Sequence, residues 1–358
     1  MTTTLHPNET LDEVKPASRY VKLFGDIFNS DLFVLVLTVV LVLVALPFTN
    51  GLLSGGNLAN IASNYWPLLL VVIGQTFVLI TAGIDLSQTA ILAVTNVMGA
   101  MLITTAANPV LFAKSPFWGV LFGESGGVLG SGPVSVYLAW LIMILLGALV
   151  GLLNGVAVAR IKMPPFMVTL ATMLFVTALT VWSTKSENII NLPPTYLTLA
   201  DGWAAAVAGV AGAAVAYLLL NRSVLGYWLY AIGGNERAAQ VSGVPTKRVI
   251  ALAYVLSGCF TAVGAALYSA RLAAGRPTLG STLLMDVIGA AVIGGVSLMG
   301  GRGRITGVVL GVLFFVVLTN VLNLMGLAFY TIMWIKGVVI VVAVAIDTIR
   351  TRREGGRA

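Results

Sequence analysis

Two acidic residues inside long apolar stretches carry the most chemical information in this sequence. Asp85 lies in the segment GIDLS (residues 83–87) between two apolar runs, and Asp286 lies within another apolar run. A carboxylate near membrane depth costs several kcal/mol unless polar groups satisfy it. We therefore expect Gly83 to end one helix and Asp85 to cap the next, with Gln88 three residues later completing a capping-box-like pair.

A competing interpretation of the same segment is that a broken helix lines a passage and presents Ser87 and Thr89 to a polar solute. Neutral hydrogen-bonding side chains recur inside the other apolar runs. Singly, each is more often an interhelical hydrogen bond than a ligand contact. Together they describe a pathway able to solvate a neutral hydroxylated molecule. The candidate pathway residues are Gln75, Asp85, Ser87, Asn96, Asn154, Thr169, Asn320 and Asn323.

The sequence lacks the residue sets that enzymes and metal sites need. Its only histidine is His6 and its only cysteine is Cys259, which rules out a multi-histidine metal site and an internal disulfide. There is no G-x-x-x-x-G-K-[ST] phosphate loop, so the chain is not expected to bind ATP in the usual way. We expect neither catalysis nor a bound cofactor or metal.

The composition is that of a membrane protein. Of 358 residues, 58% are hydrophobic and 9% are charged, with mean hydropathy +0.99, whereas soluble domains carry roughly 25% charged residues. Several apolar runs reach the ~20 residues that a helix needs to cross a bilayer, and they lack the alternation of a β-barrel. The fold class predicted is therefore an all-α polytopic membrane protein.

Ten spans are expected, within a transmembrane domain at residues 31–346. A tail (residues 1–30) with an amphipathic interfacial helix and no cleavable signal precedes it, and a basic tail (residues 347–358) follows it. The spans are expected at residues 31–48, 61–82, 88–105, 134–159, 166–182, 203–220, 250–270, 283–299, 305–324 and 328–346.

The net charge of +7 could suggest nucleic-acid binding, but the basic residues lie between spans and in the C-terminal tail. With both termini in the cytoplasm, the basic residues at 160 and 162, in residues 221–248, at 302 and 304 and in the C-terminal tail fall on the cytoplasmic side, as the positive-inside rule predicts. Arg271 and Arg276 fall outside, against the rule. The lipid bilayer, and no nucleic acid, is thus the expected environment.

Small residues indicate how some spans pack. Gly147, Gly151 and Gly155 recur every four residues, as do Gly303, Gly307 and Gly311. This spacing lets two helices approach closely.

The longest polar interruption, residues 221–248, is predicted to contain a short helix. Asn235 can cap a run from Glu236 to Val241, and Ser242 and Gly243 end it. A polar helix projecting between two spans could contact a soluble partner, and an ordinary solvated loop is the alternative.

Four ordered motifs resemble one known family. They are TAGIDLSQTA (Thr81 to Ala90), PPFMVTLATM (Pro164 to Met173), YAIGGNERAAQVSGV (Tyr230 to Val244) and AAVIGGVSLMGGRG (Ala290 to Gly303). Together they resemble the permease subunits of bacterial ABC importers for ribose and related simple sugars, from about the first span to the last. The resemblance implies the ten-helix fold of vitamin B12 importers and a location in the inner membrane. It also implies a second permease copy (homo- or heterodimer), cytoplasmic ABC ATPase subunits that bind the ATP, and a periplasmic sugar-binding protein.

The resemblance also implies a role for the projecting helix. Residues 236–244 match the family's coupling helix, which docks on the ATPase. The predicted coupling residues are Gly233, Gly234, Asn235, Glu236, Arg237, Ala238, Ala239, Ser242 and Gly243.

The chain departs from the family pattern at a few positions. The family usually reads GGIDLSVGS, whereas this chain has Ala82 for the first glycine and Gln88–Thr89 for Val-Gly; Leu284 stands where a glutamate is common. A pentose, a hexose, a polyol or another small hydroxylated solute is therefore compatible with the sequence. Two alternatives stay open: a self-contained ion-coupled transporter or channel, for which Asp85 and Asp286 would be the coupling residues, and an exporter or amino-acid permease of the same superfamily.

Overall fold

The computed structural model describes residues 32–355, apart from the side chains of residues 346, 347 and 349–355. The interfacial helix expected within residues 1–30 lies outside the described residues, as do the last residues of the basic tail.

Helices joined by turns make up nearly all of the described chain, which confirms the all-α class. The helices are α1 (Leu32–Ala45), α2 (Gly55–Ile80), α3 (Gln88–Ile103), α4 (Pro109–Phe112), α5 (Pro133–Ala159), α6 (Pro165–Thr184), α7 (Pro194–Leu197), α8 (Gly202–Asn221), α9 (Val224–Gly234), α10 (Glu236–Val241), α11 (Thr246–Leu272), α12 (Leu284–Ile293), α13 (Ile305–Leu324) and α14 (Phe329–Gly355). A small antiparallel hairpin pairs β1 (Phe122–Gly123) with β2 (Gly126–Gly127).

Each of the ten expected spans contains a helix, but the helices differ in length. Among the described residues, α2, α5, α6, α8, α11 and α13 are long and apolar enough to cross a membrane. Three of the other four expected spans contain shorter apolar helices of 10–17 residues, at Leu32–Phe48, Gln88–Ile103 and Leu284–Ile293. The tenth contains the first part of α14, which is apolar from Phe329 to Ala345.

The eighth expected span, residues 283–299, is helical only as far as Ile293. Gly294 and Gly295 follow, and Gly295 has a φ of +80°, which ends the helix and which residues with side chains rarely adopt. The prediction of a full-length span was wrong here because hydropathy alone does not register a glycine turn. α12 is therefore a ten-residue helix that ends against α13.

The segment at residues 221–248 contains more helix than expected. α9 precedes the predicted short helix, and it starts where the Ser223 hydroxyl accepts a hydrogen bond from the Gly226 N–H (3.4 Å). Its sequence, VLGYWLYAI, is itself apolar, but the polar residues on either side of it suggested a loop. α9 and α10 together form one arm, which we call the coupling arm (residues 224–243).

α2 is the centre of the fold. Its residues from Leu68 to Ile80 are all buried, and α11, α8, α13 and α12 pack around it. A helix that is apolar on every side is stable in this position because each face meets another helix rather than water.

The first glycine triplet allows the close packing of α5 on α11. A Cβ atom added at Gly151 would lie 2.2 Å from the Tyr254 carbonyl oxygen, and one at Gly147 would lie 2.4 Å from that of Gly258. This confirms the packing interpretation. In the second triplet, Gly303 precedes α13 and is not part of that helix.

We predict that Gly151→Ala destabilises the protein by about 1–3 kcal/mol, because its methyl group would overlap backbone atoms of α11. Gly337→Ala in α14 is the matched control, since nothing lies within 4 Å of its added Cβ. The measurement is thermal unfolding of the purified variants in detergent. Equal midpoints for the two variants would contradict the prediction.

Candidate functional site

The break between α2 and α3 is formed by a left-handed residue that the sequence did not predict. α2 ends at Ile80, and Ala82 has a φ of +60°. The residue that redirects the chain is therefore Ala82 and not Gly83. Gly83 has a different role, because a Cβ atom there would lie 2.9 Å from the Tyr254 hydroxyl.

Serine residues surround the carboxylate of Asp85. Its Oδ1 accepts hydrogen bonds from the Ser87 N–H (3.0 Å) and the Ser87 hydroxyl (2.5 Å), and its Oδ2 accepts one from the Ser257 hydroxyl (2.8 Å). The predicted capping box is wrong. Ser87 is the N-cap residue of α3, and the Gln88 amide donates to Ser257 Oγ (2.8 Å) and to the Val71 carbonyl (3.3 Å). Gln88 therefore bonds to residues of α11 and α2 instead of making the local capping bond that was predicted.

The same network extends to α5 and α6. Asn154 donates from Nδ2 to Ser87 Oγ (2.7 Å) and accepts at Oδ1 from the Thr172 hydroxyl (2.6 Å). The Thr169 hydroxyl donates to the carbonyl oxygen of Ile84 (3.1 Å). These bonds connect the α2–α3 break to two further helices.

Gln75 completes the network from the middle of α2. In the amide orientation that satisfies both of its polar atoms, the nitrogen donates to Gln88 Oε1 (2.9 Å) and to the Asp85 carbonyl (3.2 Å). Its oxygen accepts from the Asp85 N–H (3.3 Å).

Five predicted pathway residues thus lie together in one network, and each is at most 1% exposed: Gln75, Asp85, Ser87, Asn154 and Thr169. In this conformation the network joins α2, α3, α5, α6 and α11. Their contact with solute stays a prediction.

Asn96 lies apart from this network. Its Oδ1 accepts from the Arg276 N–H (2.6 Å), and its Nδ2 donates to the Arg276 carbonyl (3.1 Å). It therefore fixes the chain that follows α11, where Gly275 also bridges to Ile189.

Asn320 and Asn323 line a different cavity of about 400 Å³, which we call the asparagine pocket. It lies between the first turns of α2, α12 and α14 and the last turns of α13. The lining includes Asn57, Asn60, Asn64, Tyr268, Thr282, Asp286, Thr319, Asn320, Asn323, Phe329 and Lys336. Asn57 and Asn320 donate to each other through their amides, at 2.9 Å and 2.8 Å.

A buried ion pair forms one wall of the asparagine pocket. Lys336 Nζ donates to Asp286 Oδ2 (3.0 Å) and lies 2.8 Å from Oδ1. Lys336 is 5% exposed and Asp286 is 8% exposed. Removing either partner of a pair this deeply buried would leave an uncompensated charge and would destabilise the fold.

Lys336 and the three asparagines of α2 were not among the predicted pathway residues. A lone lysine within the tenth apolar run was a usable signal, because an intramembrane charge is rare and needs a partner. Asn57, Asn60 and Asn64 recur at helical spacing, which was a second signal.

Arg271 also joins α11 to the start of α2. Its Nε donates to the Ser63 hydroxyl (3.0 Å) and its Nη2 donates to Asn60 Oδ1 (3.0 Å).

The short helix predicted in the coupling arm is confirmed. α10 spans Glu236–Val241, Asn235 Oδ1 accepts from the Ala238 N–H (3.0 Å), and Gly243 has a φ of +87°.

The coupling arm packs directly on the far end of α2. A Cβ atom at Gly233 would lie 1.8 Å from the Ile80 carbonyl oxygen and 2.3 Å from the Gly301 nitrogen. The Gly301 N–H donates to that same carbonyl (2.9 Å), and the Tyr230 hydroxyl donates to the Gly303 carbonyl (2.7 Å). The arm, the end of α2 and the turn at residues 300–304 are therefore in backbone contact.

An exposed ion pair connects the coupling arm to the turn between α5 and α6. Lys162 Nζ donates to Glu236 Oε1 at 2.6 Å. Such an exposed pair contributes little stability in water. It shows that the turn between α5 and α6 lies beside α10 in this conformation.

Comparison with known proteins gives consistent matches over most of the chain. The family described as "Branched-chain amino acid transport system / permease component" matches residues 57–344. The ribose import permease protein of Bacillus subtilis is 34% identical over 285 residues, covering 78% of this chain and 80% of the relative. The ribose import permease protein of Escherichia coli is 30% identical over 324 residues, covering 87% and 92%.

A third relative is named for a different sugar. The galactose/methyl galactoside import permease protein of Escherichia coli is 31% identical over 310 residues, covering 83% of this chain and 88% of the relative. No solved structure is significantly similar to the chain.

We predict that Lys336→Met destabilises the protein by about 3–5 kcal/mol, because it leaves the Asp286 carboxylate buried without its cation. Adding Asp286→Leu should recover most of this loss, since the double variant has no buried charge at the site. Thermal unfolding in detergent of the parent, both single variants and the double variant measures the coupling. Additive effects of the two substitutions would refute the pairing.

Proposed function

The chain belongs to the permease-component family of branched-chain amino acid transport systems and is the membrane permease of an ABC importer; we propose that the solute it carries is a simple sugar. The single observation that carries this proposal is that relatives named for ribose and for galactose or methyl galactoside import align over most of their length. Permeases of this family have no ATPase activity of their own, so ATP is bound by separate subunits.

The polar residues support a neutral solute over an amino acid. Bacterial amino-acid sites typically pair the carboxylate with a helix N-terminus or an arginine. Here Arg271 donates instead to Asn60 and Ser63. Neutral amides are half of the polar side chains that line the asparagine pocket, and amides suit hydroxyl groups because an amide both donates and accepts hydrogen bonds.

The departures from the family pattern lie in packing positions. Gln88 bonds to Ser257 and Val71, and the Thr89 hydroxyl donates to the Leu86 carbonyl (3.1 Å). We therefore attribute these two differences to helix packing rather than to the choice of sugar.

For the orientation, we propose that both termini are cytoplasmic. The coupling arm, the end of α2 and the α5–α6 turn with Lys162 then lie at the cytoplasmic face, together with most of the basic residues. The asparagine pocket, at the opposite end of α2, then opens toward the periplasmic face.

For the assembly, we propose that α10 docks on a cytoplasmic ATPase and that a periplasmic sugar-binding protein delivers the solute. A second permease copy completes the transmembrane pathway. The coupling residues are the nine predicted from the sequence, residues 233–239, 242 and 243. Because the arm touches the end of α2 through backbone atoms, movement of the ATPase would be transmitted to α2 as a rigid-body displacement.

A self-contained ion-coupled transporter is the second candidate. It would need titratable groups free to exchange ions, but Asp286 is paired with Lys336, and Asp85 accepts three hydrogen bonds from serines. These contacts favour the importer.

The test of the proposed function is uptake of radiolabelled pentoses and hexoses into vesicles that hold the permease, its candidate ATPase and its binding protein, with each component omitted in turn. We expect uptake only when all three components and ATP are present. Uptake by this chain alone, driven by an ion gradient, would overturn the proposal and leave Asp85 and Asp286 as the residues to substitute next.

We predict that Gly233→Ala reduces binding-protein-stimulated ATP hydrolysis at least several-fold, because its methyl group would displace the coupling arm from Ile80 and Gly301. Gly337→Ala in α14 is the control, since Gly337 lies outside the coupling arm and no atom lies within 4 Å of its added Cβ. The measurement is ATP hydrolysis by the reconstituted complex with and without sugar-loaded binding protein. Equal stimulation in the two variants would show that the contact with α2 does not transmit the signal.

A further inference from the structure

We propose that the asparagine pocket is a binding station for a neutral polyhydroxylated solute, occupied after the solute leaves the binding protein and before it crosses the membrane. This inference rests on the proposed sugar import and names the residues that would receive the sugar. The pocket volume of about 400 Å³ lies within the roughly 300–1,000 Å³ of small-molecule sites.

The pocket has the hydrogen-bonding character that sugar hydroxyls need. Asn57, Asn60 and Asn64 follow one face of α2, and Asn320 and Asn323 lie across from them on α13. Each hydroxyl group is at once a donor and an acceptor, and so is each amide. Asn57 and Asn320 bond to each other and hold α2 against α13, whereas the amides of Asn64 and Asn323 donate only within their own helices among the described residues. Helix packing therefore does not account for these last two amides.

The buried ion pair adds an acceptor. Lys336 donates its hydrogen bond to Asp286 Oδ2, whereas Oδ1 accepts no hydrogen bond from any of the described residues, although it lies 2.8 Å from the same ammonium group. Asp286 lines the pocket. Oδ1 is shielded from solvent in this conformation, so a sugar O–H would donate to it only after the pocket wall shifts to admit the solute.

The pair also selects against charged solutes. Asp286 and Lys336 neutralise each other at a distance of 2.8 Å, so the wall has no net charge to attract a carboxylate or an ammonium. A zwitterion such as an amino acid would have to separate the pair in order to bind to it, and breaking a buried pair is costly. The pocket therefore favours a neutral polyol over an amino acid.

Helix packing alone does not explain the buried ion pair. If the only role of the contact were to hold α12 against α14, apolar side chains of similar volume would be equally or more stable, because burying two charges costs desolvation energy. An ion pair that borders a cavity lined by amides is better explained by contact with a polar ligand.

The test begins by replacing the single cysteine of the chain, so that only introduced thiols can react. In a Cys259→Ser parent, Asn64→Cys and Asn323→Cys introduce thiols on opposite walls of the pocket. Thr195→Cys is the matched control, since Thr195 is exposed in the segment near Ile189 and does not line the pocket. A membrane-impermeant thiol reagent labels each variant in membranes, with D-ribose, D-galactose or L-leucine present at millimolar concentration or with no solute.

We expect the sugar that the parent imports to slow labelling at both pocket positions several-fold and to leave the control unchanged. If the imported sugar slows labelling at neither pocket position, the binding station is refuted, whereas the proposed function stands. Protection by L-leucine and not by the sugars would overturn the choice of a neutral solute. A parent complex that imports no sugar when complete would overturn the proposed function, and this inference with it.

Discussion

The structure depends on how the carboxylate of Asp85 is satisfied inside a bundle of apolar helices. A buried charge without partners would cost more than the bundle gains from packing nearby side chains. Two serine hydroxyls and one backbone N–H bond to this carboxylate, and the amides of Gln88 and Asn154 in turn bond to those serines. The donors come from several helices, so satisfying Asp85 also fixes the positions of α3, α5 and α11 relative to one another.

α2 connects the two ends of the molecule. With 26 residues it is about 39 Å long, and it carries asparagines of the pocket in its first turns and the contact with the coupling arm at Ile80. Gln75 joins it to the Asp85 network between these two points. Because α2 is buried along most of its length, a displacement at one end would have to move its neighbours, which is the physical basis of the proposed coupling.

Contacts through glycine would make the proposed transmission rigid. Backbone atoms meet directly where α5 crosses α11 at Gly151 and where the coupling arm meets α2 at Gly233. Contacts of this kind leave no side chain that could rotate and absorb a movement. The exposed Lys162–Glu236 pair is different, because solvent and salt weaken it.

The sequence by itself determined the membrane class, the order of the helices, the close approach at Gly147 and Gly151, and the bounds of α10. Each of these follows from local hydropathy, from residue size or from one capping residue such as Asn235. The family also followed from the sequence, because four ordered motifs carry it.

Only the tertiary structure decided how the polar residues are grouped. The eight predicted pathway residues divide into the Asp85 network, the isolated Asn96 and the asparagine pocket. The pocket also includes Lys336, which was not predicted from the sequence. The prediction of a capping box at Asp85 was wrong for the same reason, because Ser257 bonds to the carboxylate although it lies 172 residues away in the chain. A polar side chain in a membrane bonds to whichever partner the helix packing brings near, and that packing depends on all the helices together rather than on the neighbouring sequence.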